Sequence, residues 1–457
     1  MYPDELVAIL ASTPTAPLIL RAIHWRDSIE KYGRCSAAAL SGLYAAEMVL
    51  LTQTGNDMPD FFPISSQLAW PFVLAVTWIV GEFGHRWTGL PRISIYGLAG
   101  FLFGNAASDW LPQNENQEFM LLANIAFGLM LFELGYRINL RWLRANPWIA
   151  VTGVVEAVGT FVVVAMMAGW YGIPPLAALL LASLAMSTSP AGILRVLNEQ
   201  NSSGQVTERV LHLSALNCVL AVFAFKVIVG IGVFQTSGSL LHAAWSSLVV
   251  LAVSAGLGAL LGIAVPGLLR RLGNLARDAT VAFAIAVILL VAVTHAFKFS
   301  PVLAALTFGL VARHRRVALS HTQRNFGVMG DLLTVVLFFF VATTLEWKQV
   351  AIGMGLALVL VAARFAAKTI GVAIFSRASG VSWRKGVLTG MALTPLSVFV
   401  ILLLEQTRRL GVDLVDSLAP LAAMALLLEV IGPIVTQRAL IWAKETPDAT
   451  ETYTETY

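Results

Sequence analysis

The sequence predicts an all-α polytopic membrane protein of about 13 transmembrane helices, built on inverted repeats with two broken, crossed helices. Three observations carry this expectation. The 457 residues are 58% hydrophobic and only 12% charged, whereas a soluble domain of average composition carries about a quarter charged residues. From residue 66 onward, apolar runs recur between short loops, many of them near the roughly 20 residues that a membrane-spanning helix needs. Two of these runs are interrupted by proline at corresponding places in the chain.

Taken in order, residues 1–60 form an N-terminal segment with a possible extra helix. Arg21, Arg26, Lys31 and Arg34 precede a mild apolar run, Ser36 to Thr52, which Glu47 interrupts. It reads as either an added span or an amphipathic surface helix. Residues 61–442 form the transmembrane domain. Spans are expected near 66–84, 93–107, 118–136, 148–170, 175–195, 208–234, 240–269, 279–296, 301–313, 330–345, 350–376, 383–405 and 414–437. Residues 443–457 are a short acidic tail rich in Thr and Tyr.

The first interruption is Ala185-Met-Ser-Thr-Ser-Pro-Ala-Gly192, inside the apolar run from Pro174 to Leu194. Pro190 removes a backbone donor and clashes with the preceding turn. Ser187, Thr188 and Ser189 can bond the backbone in place of helix partners. In hydrocarbon such a break is tolerated only where the freed groups face protein or a wet cavity. The second interruption, Gly390 to Ser397, lies in the run from Gly386 to Leu404. Aligning Pro190 with Pro395 pairs Met186 with Met391 and Ser189 with Thr394, and lays 148–170 and 208–234 onto 350–376 and 414–437. By the span count the offset is seven spans, so the second copy enters the membrane from the opposite side. Paired interrupted helices point to a transporter's midplane site.

Loop charge sets the orientation. Alternate loops hold Arg86/Arg92, Arg137/Arg141/Arg144, Arg195/Arg209, Arg270/Arg271/Arg277, Arg313/Arg315/Arg316/Arg324, Arg377/Arg384/Lys385 and Arg438/Lys444. The opposite loops hold only Lys298, Lys348, Arg408 and Arg409. The basic set belongs in the cytoplasm, with the C-terminus beside it. The net charge of +4 is distributed over these loops and is no sign of nucleic-acid binding. No Walker motif or Gly-rich phosphate loop is present, which argues against an ATP-driven pump. No cluster has metal-ligand spacing and no arrangement argues for an enzyme, so no cofactor is expected. Cys35 and Cys218 make no disulfide framework.

Ionisable residues at membrane depth are functional candidates by default. Lys368 lies mid-run, with Arg364 one turn earlier on the same face. Two cations so placed repel unless an anion or carbonyls stand between them; otherwise one of them snorkels towards a headgroup. Glu156 sits inside its span and needs a partner or a proton. Glu133 can bind a cation or pair with Lys368, or it can be an interfacial carboxylate paired with Arg137 at i+4. Asn217 offers a carbonyl and an amide, and Cys218 beside it a weakly polar thiol.

These features together resemble the monovalent cation/proton antiporter superfamily, nearest its Kef-type and sodium/proton exchanger domains. The resemblance spans about 66–442. It rests on Gly89-Leu-Pro-Arg92 with Tyr96-Gly-Leu-Ala-Gly100, Leu131-Phe-Glu-Leu-Gly135, Thr188-Ser-Pro190, Leu216-Asn-Cys218, Arg364 with Lys368, and Glu429-Val-Ile-Gly-Pro433. It implies a core domain with two crossed broken helices, a separate dimerisation domain and elevator-type alternating access. Monovalent cations and protons are then the expected substrates, and a homodimer in a bacterial inner membrane the expected form. Family members usually carry an acid just after the position of Asn217, where this chain has Cys218, and some have Asp where it has Ser189. Glu133 matches an acidic position of some exchangers. Lys368 matches the basic residue on the span before the second broken helix.

The expected function is secondary-active transport. Asn217, Thr188, Ser189 and Thr394 would supply neutral oxygens, Glu133 a charge and Lys368 the compensating cation, with Cys218 in the ion-binding position. Glu156 and Arg364 are read as coupling or structural groups. Two alternatives follow from the missing acid. One is an organic-anion transporter on the same fold, suited to a site that Lys368 makes more positive. The other is a non-transporting sensor or scaffold.

Overall fold

The computed structural model describes residues 66–106, 117–233, 240–272, 275–315, 332–333, 335–339, 347–397, 400 and 419–447. The expectations for residues 1–60, for most of the tail and for the end of the second broken helix fall outside these residues. So does much of the span expected at 330–345, of which 332–333 and 335–339 are helical.

Regular structure among the described residues is helical. In chain order the helices are α1 (Ser66–Thr88), α2 (Arg92–Ala106), α3 (Gln117–Arg137), α4 (Leu140–Ala145), α5 (Trp148–Trp170), α6 (Pro175–Ala185), α7 (Pro190–Glu199), α8 (Gln205–Val233), α9 (Leu240–Leu272), α10 (Leu275–Ala296), α11 (Pro301–His314), α12 (Trp347–Ile374), α13 (Trp383–Ala392) and α14 (Ala419–Trp442). Counting α6 and α7 as one interrupted span, seven of the described spans are long and apolar enough to cross a membrane; α2 and α11 are shorter apolar helices.

Side-chain distribution shows the solvent these helices face. On α5 the exposed residues are large and apolar, among them Val151, Val155, Val158, Val162 and Met166. The buried ones are mostly small or polar, Thr152, Gly153, Glu156, Ala157, Thr160 and Ala168, with Ile149 and Val164 among them. That is the membrane pattern, in which small residues let helices approach closely. A Cβ on Gly371 of α12 would lie 3.0 Å from Glu156 Cα on α5, and one on Gly390 of α13 would lie 2.5 Å from Thr369 Cα on α12. These approaches bring α5, α12 and α13 together around one centre.

The repeat is visible in the element order. A long helix, a short helix, a break at a proline and a second long helix occur first as α5, α6, Pro190 and α8, then as α12, α13, Pro395 and α14. These elements pack on one another. A second apolar core gathers Leu129 and Phe132 of α3, Leu269 of α9, Phe283 and Val287 of α10 and Phe308 of α11. Helices α1 and α2 pair with each other, and α2 lies along α14.

Candidate functional site

Both proline-marked interruptions are true breaks, and they meet. Helix α6 ends at Ala185, Ser187–Ser189 leave the helical path, and α7 starts at Pro190. Proline suits that first position because its missing N–H would have no partner there. Ser189 caps α7, its Oγ accepting from Gly192 N at 3.0 Å, and Ser187 Oγ donates to Leu184 O at 2.7 Å. The second break opens after Ala392. The backbone N–H of Ser189 donates to Pro395 O at 3.0 Å, and Thr188 Oγ1 to Leu393 O at 3.4 Å.

Carbonyls freed by the breaks are collected by α12. Arg364, fully buried, donates from Nε to Ala185 O (2.8 Å), from Nη2 to Ser187 O (2.7 Å) and from Nη1 to Thr394 O (2.5 Å), with Pro395 O at 3.4 Å from Nη2. One planar guanidinium thus serves both breaks, which a point-like ammonium does not match. The cationic repulsion expected between Arg364 and Lys368 is offset as the sequence required, by carbonyls for Arg364 and a carboxylate for Lys368.

That carboxylate is Glu156. Lys368 Nζ lies 2.5 Å from Glu156 Oε1 and 3.0 Å from Met186 O, and both side chains are shut off from solvent. Thr160 Oγ1 also donates to Oε1 at 3.3 Å. Asn217 Nδ2 donates to Glu156 Oε2 at 2.8 Å and to Thr188 Oγ1 at 3.1 Å. Asn217 Oδ1 is buried without a hydrogen-bond partner. Cys218 Sγ donates to Thr188 O at 3.0 Å, and Ser397 of the second break lies beside the thiol. The cluster is therefore a buried ion pair edged by hydroxyl, amide and backbone oxygens, one of them unclaimed.

Glu133 stands elsewhere. Its Oε1 is 2.8 Å from Arg137 Nη2, the i+4 partner, and that guanidinium also donates to Asn198 Oδ1 at 2.7 Å. Of the two readings of Glu133, the structure has the i+4 pair with Arg137; Lys368 is held by Glu156, because α5 and α12 are neighbours in the core and α3 packs mainly on α10 and α11. Two expected neutral ligands also have local roles. Ser189 Oγ is a helix cap, and Thr394 Oγ1 donates to Met391 O at 2.5 Å. Sequence reading used Glu429 only as part of the resemblance and did not single it out as a site residue; it is 6% exposed on α14 with Oε1 unpartnered. The signal was available, since it is an acid inside an apolar run with no basic residue within a turn.

A family model described as the transmembrane sodium/hydrogen exchanger matches residues 72–442. Among solved structures, the sodium proton antiporter MjNhaP1 from Methanocaldococcus jannaschii at pH 8 matches with a TM-score of 0.62 at 13% identity, over 82% of this chain and 99% of that one. An electron-microscopy structure of MjNhaP1 gives a TM-score of 0.65 at 16% identity, over 82% and 96% of the two chains. At these identities the likeness is one of fold.

Proposed function

The chain belongs to the sodium/hydrogen exchanger transmembrane family, and we propose that it exchanges a monovalent cation for protons at the crossing of its two breaks. Residues 61–442 are the transporting domain. The observation that carries the reading is the Glu156–Lys368 pair at 2.5 Å, buried where both breaks meet.

A buried carboxylate needs one positive partner. Lys368 supplies it in the empty site. An incoming cation takes the place of the ammonium at Glu156, and Lys368 then releases a proton to the open side. When the cation leaves, Lys368 takes a proton back and the pair re-forms. One cation thus moves against one proton, and the site never holds an unbalanced charge. Oxygen ligands suit hard cations. Asn217 Oδ1, Thr188 and Glu156 are the groups we assign to the cation.

Cys218 stands where related exchangers keep an acid, and Glu156 replaces it from the neighbouring helix. That pairing favours cation exchange over the organic-anion and scaffold alternatives, since Lys368 is not an unaccompanied charge. Alternating access by an elevator movement of α5–α8 and α12–α14, a homodimer and a cytoplasmic C-terminus complete the proposal.

The test is flux in proteoliposomes under an imposed pH gradient, comparing Na⁺, K⁺ and Li⁺. Cation flux driven by the gradient, and lost in Glu156→Gln, is the expected result. Gradient-insensitive flux, or full exchange in Glu156→Gln, overturns it.

A further inference from the structure

We propose that Glu429 is a proton-operated gate of this exchanger, placed at the seam between the repeat bundle and α2 so that the bundle moves only when this carboxyl is neutralised. The inference rests on the exchange reading above.

Glu429 is buried on α14 and its Oε1 has no hydrogen-bond partner. It makes no ion pair among the described residues. Buried and half-buried acids elsewhere among the described residues are matched: Glu156 with Lys368, Glu133 with Arg137, and Glu199 with Arg92 and His85. The carboxyl is pressed against α2 at Gly97, where an added Cβ would lie 2.9 Å from both Cγ and Oε1. Gly97 thus leaves the space that the carboxyl fills. Ser94, one turn away on the same face of α2, is also buried, with its Oγ unpartnered.

Among the described residues, no cation from the surrounding helices compensates Glu429. On α12, Arg364 and Lys368 are engaged at the breaks, as above. On α2, Arg92 grips Glu82 and Glu199, while the Tyr96 ring lies against Gly81 of α1. On α13, Arg384 donates to Trp442 O and Lys385 to Glu445. On α7, Arg195 sits among Glu199, Tyr96, Arg92 and Glu133. Arg438 on α14 itself is exposed.

An ionised carboxylate held this way is costly, whereas the neutral acid is tolerated. The seam therefore stays closed over a protonated Glu429 and not over a charged one. The same face of α14 clamps the second break. Gly432, three residues on, packs on Pro395, where a Cβ would lie 2.6 Å from Pro395 Cα, and Thr436 Oγ1 donates to Ala392 O at 3.0 Å. Displacement of the break at the cation site carries Glu429 along α2. Facing water on one side, the carboxylate binds a proton. It crosses the seam as the neutral acid on both strokes, exchanging its proton with the water it faces, so it sets when the bundle moves and leaves the one-for-one exchange unchanged.

The experiment compares wild type with Glu429→Gln and Glu429→Asp in proteoliposomes, reading exchange rate against pH and the infrared carbonyl band of a protonated carboxyl. Gln mimics the neutral acid. The expected result is a folded Glu429→Gln protein with a flattened pH profile and a reduced band, and a retained pH dependence in Glu429→Asp. An unchanged profile and band in Glu429→Gln would overturn the assignment, and so would failure of that variant to fold. Absence of pH-driven exchange in wild type would overturn the exchange reading instead.

Discussion

The backbone N–H of Ser189 donates to the carbonyl of Pro395 across 3.0 Å, so each helix break supplies what the other lacks. Pro395 is the repeat partner of Pro190. The long helices that open the two repeats are joined in the same way: α5 contributes Glu156 and α12 contributes Lys368. The site is thus shared between the halves, and its chemistry depends on their relative position.

Removing one member of the Glu156–Lys368 pair leaves a buried charge alone, at a cost of about 3–5 kcal/mol. Lys368→Gln and Glu156→Gln should each lower the melting temperature in detergent. The double variant should recover much of that loss, because two amides can bond each other. Exchange should be absent in all three. Wild-type melting and exchange in either single variant would remove the pair from the site.

Arg364→Gln should be as damaging to stability without entering the chemistry. It strips donors from carbonyls of both breaks, at roughly 1–3 kcal/mol for each buried group left unsatisfied. Arg364→Lys should rescue only partly, since one ammonium cannot span both breaks. Thermal unfolding of the two variants is the measurement, and equal stability of Lys and Arg at this position would contradict it.

Cys218→Ser keeps a donor for Thr188 O and should retain exchange. Cys218→Asp introduces an acid whose reference pKa is about 3.9 beside Thr188 and within the influence of Lys368. It should strengthen pH-dependent cation flux, and that flux should require Lys368. A Cys218→Asp protein with the wild-type pH profile would show that this position does not reach the ion.

Glu133 and Glu199 belong to a different set of contacts, in which Arg137 holds Asn198 while Arg92 and His85 hold Glu199. These bonds tie the end of α7 to α1, α2 and α3. Glu133→Gln should leave exchange intact and shift stability by less than about 1 kcal/mol, as for a partly exposed pair. Glu199→Gln should loosen the tie and speed hydrogen exchange at the end of α7. Abolished transport in Glu133→Gln would return that residue to the ion site.

Much of this was legible in the sequence. Helix breaks at Pro190 and Pro395 follow from proline inside apolar runs, and the repeat follows from their shared offset. Lys368 and Arg364 stood out as two cations on one face that must either find partners or snorkel to a headgroup, and the structure gives them partners. The partner itself was not legible. Glu133 and Glu156 are both acids in apolar runs, and neither sequence distance nor composition separates them. Packing does, since Gly371 lets α12 close on α5 at Glu156. Ser189 and Thr394 could equally be ligands or caps until their hydroxyls were seen bonded to their own chain.

By itself the sequence determined the membrane class, the two breaks and the existence of buried charges in need of partners, because these depend on local backbone chemistry and on the cost of polar groups in hydrocarbon. Only the tertiary structure decided which charges meet. Ion pairing depends on distances of a few ångströms between helices far apart in the chain, set by where glycines let backbones touch. That contact geometry joined Glu156 to Lys368, kept Glu133 at Arg137, and pressed Glu429 against Gly97 without a cation partner among the described residues.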